Sequence, residues 1–134
     1  MGRVGVSYLL DTHTLLWALT APSRLGPQAA SLLVDRRSQL VVSAASAWEI
    51  ATKHRIGKLP QADAVIGGYS RHLDRLRVSR LPLTEEHCLL SGSLGWSHRD
   101  PFDRMLAAQA MIESMTLVTD DEALQGLPGL RTLW

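Results

Sequence analysis

The sequence predicts an α/β domain in which a parallel sheet is covered by helices on both faces. Short apolar runs alternate along the chain with segments of helical spacing. The predicted strands are apolar throughout, which is typical of strands buried on both faces of a parallel sheet. A length of 134 residues fits one domain, which we expect to span residues 1–134.

Two strands are predicted in the first half of the chain, at residues 6–10 and 40–42, because these apolar runs are too short for helices. Apolar side chains recur at helical spacing around them, which predicts helices over residues 12–19, 28–36 and 44–56. Gly57 suits the left-handed backbone conformation that commonly follows the end of a helix.

The second half continues the alternation. Apolar runs predict strands over residues 78–83, 116–118 and 130–133. Helical patterns occupy residues 62–75, the segment that begins at Thr84, and residues 101–114 and 120–124. Gly67 and Gly68 weaken the first of these helices, whereas Glu85 and Glu86 favour a helix start at Thr84.

The composition excludes several classes of protein. A formal net charge of +1 excludes a polycation that coats nucleic acid, so any nucleic-acid contact must come from local patches. The single cysteine, Cys88, excludes an internal disulfide framework and indicates a cytoplasmic protein; its apolar neighbours predict a buried thiol. No apolar run reaches the ~20 residues of a membrane span. Asp11 and His13 interrupt the apolar N-terminal segment, so no signal peptide is expected.

Acidic residues fall where predicted strands end or the next helices begin. Asp11 follows the first strand, and Glu49 lies early in the helix after the second strand. Two close pairs complete the set: Asp100 with Asp103 at a helix start, and Asp120 with Asp121 after the strand 116–118. Ligands of open parallel sheets bind beyond the carboxyl ends of the strands, so we expect these side chains to converge at one edge.

Helix capping is the alternative explanation for each acid taken singly. Asp100 followed by Pro101 has the pattern of an N-cap and a favourable first helical residue. Two further segments match a capping box, namely Ser46 with Glu49 and Thr119 with Glu122. Glu49 and Lys53 have the spacing of a surface i,i+4 pair. Capping does not explain why four segments would place acids at the same edge.

A cluster of carboxylates favours a divalent cation. Two carboxylates ~5 Å apart repel by roughly 3 kcal/mol at an effective dielectric constant of ~20, so a larger cluster must bind protons or a cation. Oxygen ligands select Mg²⁺ or Mn²⁺, and the sequence has no zinc-type spacing of His or Cys. Such an ion beside a phosphodiester can activate a water without a serine or cysteine nucleophile.

Four stretches carry a resemblance to a known family: residues 9–13 (LLDTH), 46–53 (SAWEIATK), 98–110 (HRDPFDRMLAAQA) and 117–121 (LVTDD). Because these four stretches occur in this order, the sequence resembles the PIN-domain ribonucleases, specifically the VapC-type toxins of bacterial toxin–antitoxin modules. The resemblance implies a three-layer α/β/α sandwich around a short, mainly parallel sheet. It also implies a Mg²⁺-dependent endoribonuclease that leaves 5′-phosphate and 3′-hydroxyl ends, with Mn²⁺ as a substitute ion, and a homodimer neutralised by a VapB-type antitoxin.

The family's acidic set corresponds to four positions in this chain. The resemblance implies that Asp11 and Asp103 hold the primary Mg²⁺, while Glu49 and Asp121 complete the metal-binding and catalytic cluster and position the attacking water. The accessory positions are Asp100, Thr119 and Asp120.

RNA must approach this negatively charged site past positive side chains. The candidates for RNA contact are Lys53, Arg55, Arg99 and Arg104. Trp17, Trp48 and Trp96 could stack on bases, although a place in the core or in a dimer interface is the expectation for all three.

Two other functions fit parts of the sequence. The segment 11–14 (DTHT) has the outline of an aspartyl-phosphate phosphohydrolase loop, but His13 stands where the second acid is needed. A non-catalytic regulatory module, whose acids are only caps and solvated charges, is the second alternative. Such a module would show no stabilisation by Mg²⁺ or Mn²⁺.

Overall fold

The computed structural model describes residues 6–134. In this part of the chain, five strands form one sheet: β1 (Ser7–Leu10), β2 (Gln39–Ser43), β3 (Ser79–Leu81), β4 (Thr116–Val118) and β5 (Thr132–Leu133). Their order across the sheet is β3-β2-β1-β4-β5, and every neighbouring pair is parallel. The predicted fold class is confirmed.

Within the described residues, eight α-helices connect and cover the strands: α1 (Thr12–Thr20), α2 (Pro27–Val34), α3 (Ala44–Arg55), α4 (Asp63–Ile66), α5 (Tyr69–Leu76), α6 (Glu85–Ser93), α7 (Pro101–Ile112) and α8 (Glu122–Gln125). Most agree with the predicted helices within two residues. The helix predicted over residues 62–75 is divided into α4 and α5. Gly68, at φ 70°, turns the chain between them in a conformation that residues with a β-carbon rarely adopt.

The central strands bury both of their faces, which explains their unbroken apolar sequence. Leu10, Val42 and Val118 belong to one hydrophobic cluster, packed beneath helices from the first half of the chain. Their neighbours Leu9, Val41 and Leu117 belong to a second cluster with Leu106, Ala107 and Ala110 of α7. Successive strand residues point to opposite faces, so each strand contributes to both layers of core.

The strand order places a crevice at the carboxyl ends of β1 and β4. From β1 the chain proceeds outward through β2 and β3, then returns to β4 on the other side of β1. The Asp11 N–H donates to the Val118 carbonyl at 3.1 Å, and the Thr14 hydroxyl donates to the same oxygen at 2.9 Å. Asp11 is thereby fixed where connections leave the sheet in opposite directions, the usual position of a ligand site in such sheets.

The prediction that the Cys88 thiol is buried is wrong. The Cys88 thiol is exposed, because it lies on the solvent side of α6, whereas the buried residues of that helix are His87 and Ser91. In the part of the chain from Val6 onward, no helix is both long and apolar enough to cross a membrane.

Candidate active site

The acids predicted from four separate segments line one cleft at the carboxyl edge of the sheet. The cleft has a volume of about 320 Å³, and its walls include Asp11, Glu49, Asp100, Asp103, Asp120 and Asp121. Lys53, His13 and Trp17 lie at the same cleft. The predicted convergence is therefore present in the structure.

Asp11 is buried at the junction of β1 and α1. Its residue is only 6% exposed, and its Oδ1 accepts the Thr14 N–H at 2.7 Å as the N-cap of α1. Burial raises the pKa of the Asp11 carboxyl, while hydrogen bonds from Thr119 and Thr14 act in the opposite direction. A positive charge in the cleft would stabilise the ionised form of this carboxyl.

Glu49 reaches the cleft from α3. The helix begins one residue after Ser43, whose hydroxyl accepts the Ala45 N–H at 2.9 Å, so the predicted Ser46 capping box does not form. Glu49 is therefore in the second turn, buried, and its carboxylate bonds to the Lys53 ammonium. The pair has the i,i+4 spacing expected of a surface contact, but it lies inside the cleft.

Lys53 is the positive charge closest to the acids in the described contacts. Its Nζ also lies 3.8 Å from Asp100 Oδ2. Burial lowers the pKa of the Lys53 ammonium, but the bond to Glu49 and the charges of Asp100 and Asp103 outweigh burial and raise it. Lys53 thus remains protonated and offsets part of the negative charge.

The start of α7 supplies two carboxylates with different surroundings. Asp100 is the N-cap and accepts the Phe102 N–H at 2.9 Å and the Asp103 N–H at 3.4 Å. Asp103 lies one turn into the helix, where its Oδ2 is 2.7 Å from His98 Nε2. Burial raises the pKa of Asp103 to about 6; the His98 hydrogen bond opposes this rise, and the charges of Asp100, Glu49 and Asp121 add to it.

Asp121 enters the cleft from the loop after β4. It is the N-cap of α8 and accepts the Ala123 N–H at 2.9 Å, so the predicted capping box from Thr119 to Glu122 does not form. Thr119 is fully buried; its hydroxyl accepts the Asp121 N–H at 3.0 Å, and its side chain also hydrogen-bonds to Asp11. Thr119 thus ties two acids of the cleft together, while Asp120 is exposed at the rim.

Capping and clustering occur at the same residues. Asp11, Asp100 and Asp121 are the N-caps of α1, α7 and α8, and all three line the cleft. The N-terminus of an α-helix carries a partial positive charge, so these helix ends reduce the repulsion among the carboxylates. The two explanations of the sequence pattern are therefore complementary.

The four predicted RNA-contact residues differ in their surroundings. Lys53 lies in the cleft, and Arg55 and Arg99 are exposed. Arg104 is not available to RNA, because its guanidinium donates to the carbonyls of Ser91, Leu94, Trp96 and His98 at 2.7–3.0 Å. The structure corrects that prediction: Arg104 holds the loop between α6 and α7.

Sequence reasoning missed His98 as a site residue. Its imidazole contacts Asp103, and ligand atoms of His98, Asp103 and Asp121 all lie within 4.8 Å of one another. His98 lies just before α7, whose start carries Asp100 and Asp103. Its closeness in sequence to these acids was the signal that could have identified it as a site residue. Of the tryptophans, Trp17 borders the cleft, and Trp48 is 52% exposed and packs edge-on against Phe102.

The donor set fits a divalent cation. The cleft holds several carboxylates from different segments, and the pKa values of Asp11 and Asp103 are raised because burial and, at Asp103, neighbouring negative charges disfavour ionisation. Carboxylate oxygens at the carboxyl edge of a parallel sheet are suitable ligands for Mg²⁺ or Mn²⁺.

The structure is a parallel α/β/α sandwich with an acidic cleft between β1 and β4. It therefore belongs to the class of α/β domains whose acidic site suits a divalent ion. Residues 8–130 match the family model of the PIN domain. The chain belongs to the PIN domain family.

A curated relative is Ribonuclease VapC16 of Mycobacterium tuberculosis (strain ATCC 25618 / H37Rv), which is 35% identical over 57 residues. That alignment covers 42% of this chain and 40% of the relative, so the chain matches less than half of the length of that protein.

Solved structures share the fold over nearly the whole chain. The crystal structure of VapBC2 from Rickettsia felis bound to a promoter DNA fragment has a TM-score of 0.68 at 17% identity, covering 96% of this chain and 98% of that one. The crystal structure of FitAcB from Neisseria gonorrhoeae has a TM-score of 0.65 at 18% identity, covering 94% of this chain and 96% of that one. The structure of VapBC-1 from nontypeable Haemophilus influenzae has a TM-score of 0.60 at 20% identity, covering 96% of this chain and 97% of that one. At these identities the likeness concerns the fold.

Proposed function

We propose that residues 1–134 form one PIN domain that acts as a Mg²⁺-dependent endoribonuclease, with Mn²⁺ as a substitute ion. The observation that carries this proposal is the meeting of Asp11, Glu49, Asp103 and Asp121 in one cleft. Family membership and the ribonuclease name of a curated relative support the same reaction class.

Asp11 and Asp103 would hold the ion, with Glu49 and Asp121 completing the cluster directly or through water. When bound, the ion would lower the pKa of a water molecule and neutralise charge on the phosphodiester. Hydrogen bonds from Thr14 and Thr119 fix the Asp11 carboxylate. Asp121 is fixed by capping α8. The acids are therefore oriented before substrate arrives.

Lys53 supplies positive charge at the inner wall of the cleft, and exposed Arg55 and Arg99 are the remaining candidates for phosphate contact. Since RNA carries one negative charge per phosphate, such side chains are needed beside a site built from acids. Single-stranded RNA loops are the usual targets of sequence-specific recognition and could enter an open cleft of this size.

The aspartyl-phosphate alternative fits the structure poorly. The Asp11 carboxylate caps α1 and is buried, and exposed His13 stands where that mechanism needs a second acid. The non-catalytic alternative is separated from the nuclease by experiment.

The test compares cleavage of single-stranded and structured RNA by wild type, Asp11→Asn and Asp103→Asn with Mg²⁺ or Mn²⁺. Asp74→Asn is the matched control, because Asp74 is an exposed carboxylate on α5 that pairs with Arg80 outside the cleft. We expect cleavage by wild type and the control, loss of cleavage in the two cleft variants, and complete inhibition by a chelator. Equal cleavage by all four proteins, or no cleavage by wild type under any metal condition, would reject the nuclease mechanism.

The same proposal includes a role as the toxin of a toxin–antitoxin pair, active in the cytoplasm as a homodimer and neutralised by a VapB-type antitoxin. It rests on the relatives: VapBC complexes share the fold of this chain. Expression of the chain alone should arrest growth, and co-expression with a VapB-type antitoxin should restore growth and yield a co-purifying complex. A chain that is harmless when expressed alone, with cleavage intact, would reject the toxin role only.

A further inference from the structure

His98 is an imidazole that contacts the acidic set, and the proposed function gives it no role. Its Nε2 lies 2.7 Å from Asp103 Oδ2, and one ligand atom from each of His98, Asp103 and Asp121 falls within a 4.8 Å group. All three residues are partly buried. The Nε2 atom of the imidazole therefore faces the carboxylates, while 28% of the side chain is exposed.

The loop before α7 holds this imidazole in place. The ring of His98 stacks on Trp96, with centroids 4.7 Å apart and an interplanar angle of 29°. The Arg104 guanidinium donates to the carbonyls of Trp96 and His98, at 2.7 and 3.0 Å. A histidine fixed by ring stacking and by its own backbone keeps one orientation, as a ligand residue must.

The distances match the first coordination shell of a small divalent ion. Ligand atoms about 2.1 Å from an octahedral ion are about 3.0 Å apart when adjacent and about 4.2 Å apart when opposite. The separation between His98 and Asp103 is close to the first value, and the 4.8 Å limit of the three-residue group is slightly above the second. The three ligand atoms therefore lie near enough to one another to share an ion.

We propose that His98, beside Asp103 and Asp121, supplies a nitrogen ligand to the divalent ion of the acidic cleft, and that this ligand makes the site prefer Mn²⁺ to Mg²⁺. The inference rests on the proposed metal site and refines the identity of its ion. Mg²⁺ favours an all-oxygen shell, whereas an imidazole nitrogen strengthens the binding of transition metals. An imidazole binds a metal ion through a ring-nitrogen lone pair, so on binding the ion Nε2 would exchange its hydrogen bond to Asp103 for a bond to the ion.

The competing explanation is that His98 only orients Asp103 through a hydrogen bond. Two variants separate these roles. His98→Gln keeps a side-chain amide that can donate to Asp103 but removes the imidazole, and His98→Ala removes both. His13→Ala is the matched control, since His13 is a second imidazole at the same cleft that lies outside the three-residue group.

The experiment uses Mn²⁺ itself as the probe and needs no RNA. Electron paramagnetic resonance of free Mn²⁺ gives the dissociation constant, and competition with Mg²⁺ gives the preference between the ions. Pulsed measurements on natural-abundance and ¹⁵N-histidine protein detect a nitrogen bonded to bound Mn²⁺. Circular dichroism checks that each variant is folded.

We expect histidine-nitrogen coupling in wild type and His13→Ala and none in the two His98 variants. Removing the ligand should weaken Mn²⁺ binding at least about ten-fold, since even outer-shell partners of a metal account for that much affinity. Mg²⁺ binding should change less, which would reduce the preference for Mn²⁺.

The proposal would be overturned by tight Mn²⁺ binding in wild type without nitrogen coupling, by coupling that persists in His98→Ala, or by full Mn²⁺ affinity in His98→Gln. Absence of Mn²⁺ binding in wild type would also overturn it. If nitrogen coupling is found but RNA is not cleaved, this inference stands and the proposed nuclease function fails.

Discussion

Replacing Asp103 by asparagine tests whether ionisation of this buried carboxyl, beside other acids, destabilises the folded protein. The pKa of Asp103 rises from 3.8 to about 6, because of burial and the neighbouring charges. At 1.36 kcal/mol per pKa unit, ionising this carboxyl above pH 6 costs the folded state up to about 3 kcal/mol. Partial solvent exposure reduces this to about 2 kcal/mol. Asparagine has a similar shape and carries no charge.

We therefore expect Asp103→Asn to raise the melting temperature of the metal-free protein at pH 7 by about 5–10 °C. The sign follows from the raised pKa: protonation of Asp103 favours folding below pH 4, and this contribution is lost as the pH rises through about 6. The advantage of the variant should shrink as the pH falls from 7 toward 4.

Differential scanning calorimetry in chelator, across that pH range, measures both effects, with Asp74→Asn as the control for removal of an exposed carboxylate. Mg²⁺ or Mn²⁺ should stabilise wild type more than Asp103→Asn. A variant that melts several degrees below wild type at pH 7 would refute the reasoning, because it would show that the negative charge of Asp103 is compensated without a metal.

Three further predictions concern the surroundings of the site. Lys53→Met should lower the metal-free unfolding free energy by about 2–3 kcal/mol in urea titrations, since it leaves the buried Glu49 carboxylate without its ion pair. An unchanged value would show that this ion pair does not stabilise the fold. Arg104→Met should destabilise the protein by about 2–4 kcal/mol in the same assay, because four backbone carbonyls lose a charged donor, and faster hydrogen exchange should be confined to the loop between α6 and α7. Gly68→Ala should lower stability by about 1 kcal/mol at φ 70°, whereas no loss would mean that the turn between α4 and α5 can rearrange.

Most of the secondary structure could be predicted, because its causes are local. Pro101 after Asp100 defines the start of α7, and the apolar runs around Leu9, Val41 and Leu117 define the central strands. The division between α4 and α5 was foreshadowed only by a weak signal, the two glycines. A helix pattern tolerates glycine, and the turn at Gly68 depends on how the chain packs.

The candidate capping boxes show where local patterns are insufficient. Ser46 and Thr119 match the motif, yet Ser46 instead contacts the Thr12 hydroxyl at 3.0 Å, and the Thr119 hydroxyl accepts the Asp121 N–H. Both hydroxyls are buried and find partners in three dimensions. The sequence could not show this, because Thr12 and Ser46 are 34 positions apart.

The sequence by itself determined the fold class, the family resemblance and the acids that follow the strands, since these depend on residue type, apolar periodicity and chain order. Only the tertiary structure decided the surroundings of each charge: Lys53 beside Glu49, Arg104 enclosed by carbonyls, and His98 turned toward Asp103. The physical reason is that electrostatic and hydrogen-bonding roles depend on burial and on distances of a few ångströms between segments. Those distances are set when the two layers of core pack against the sheet.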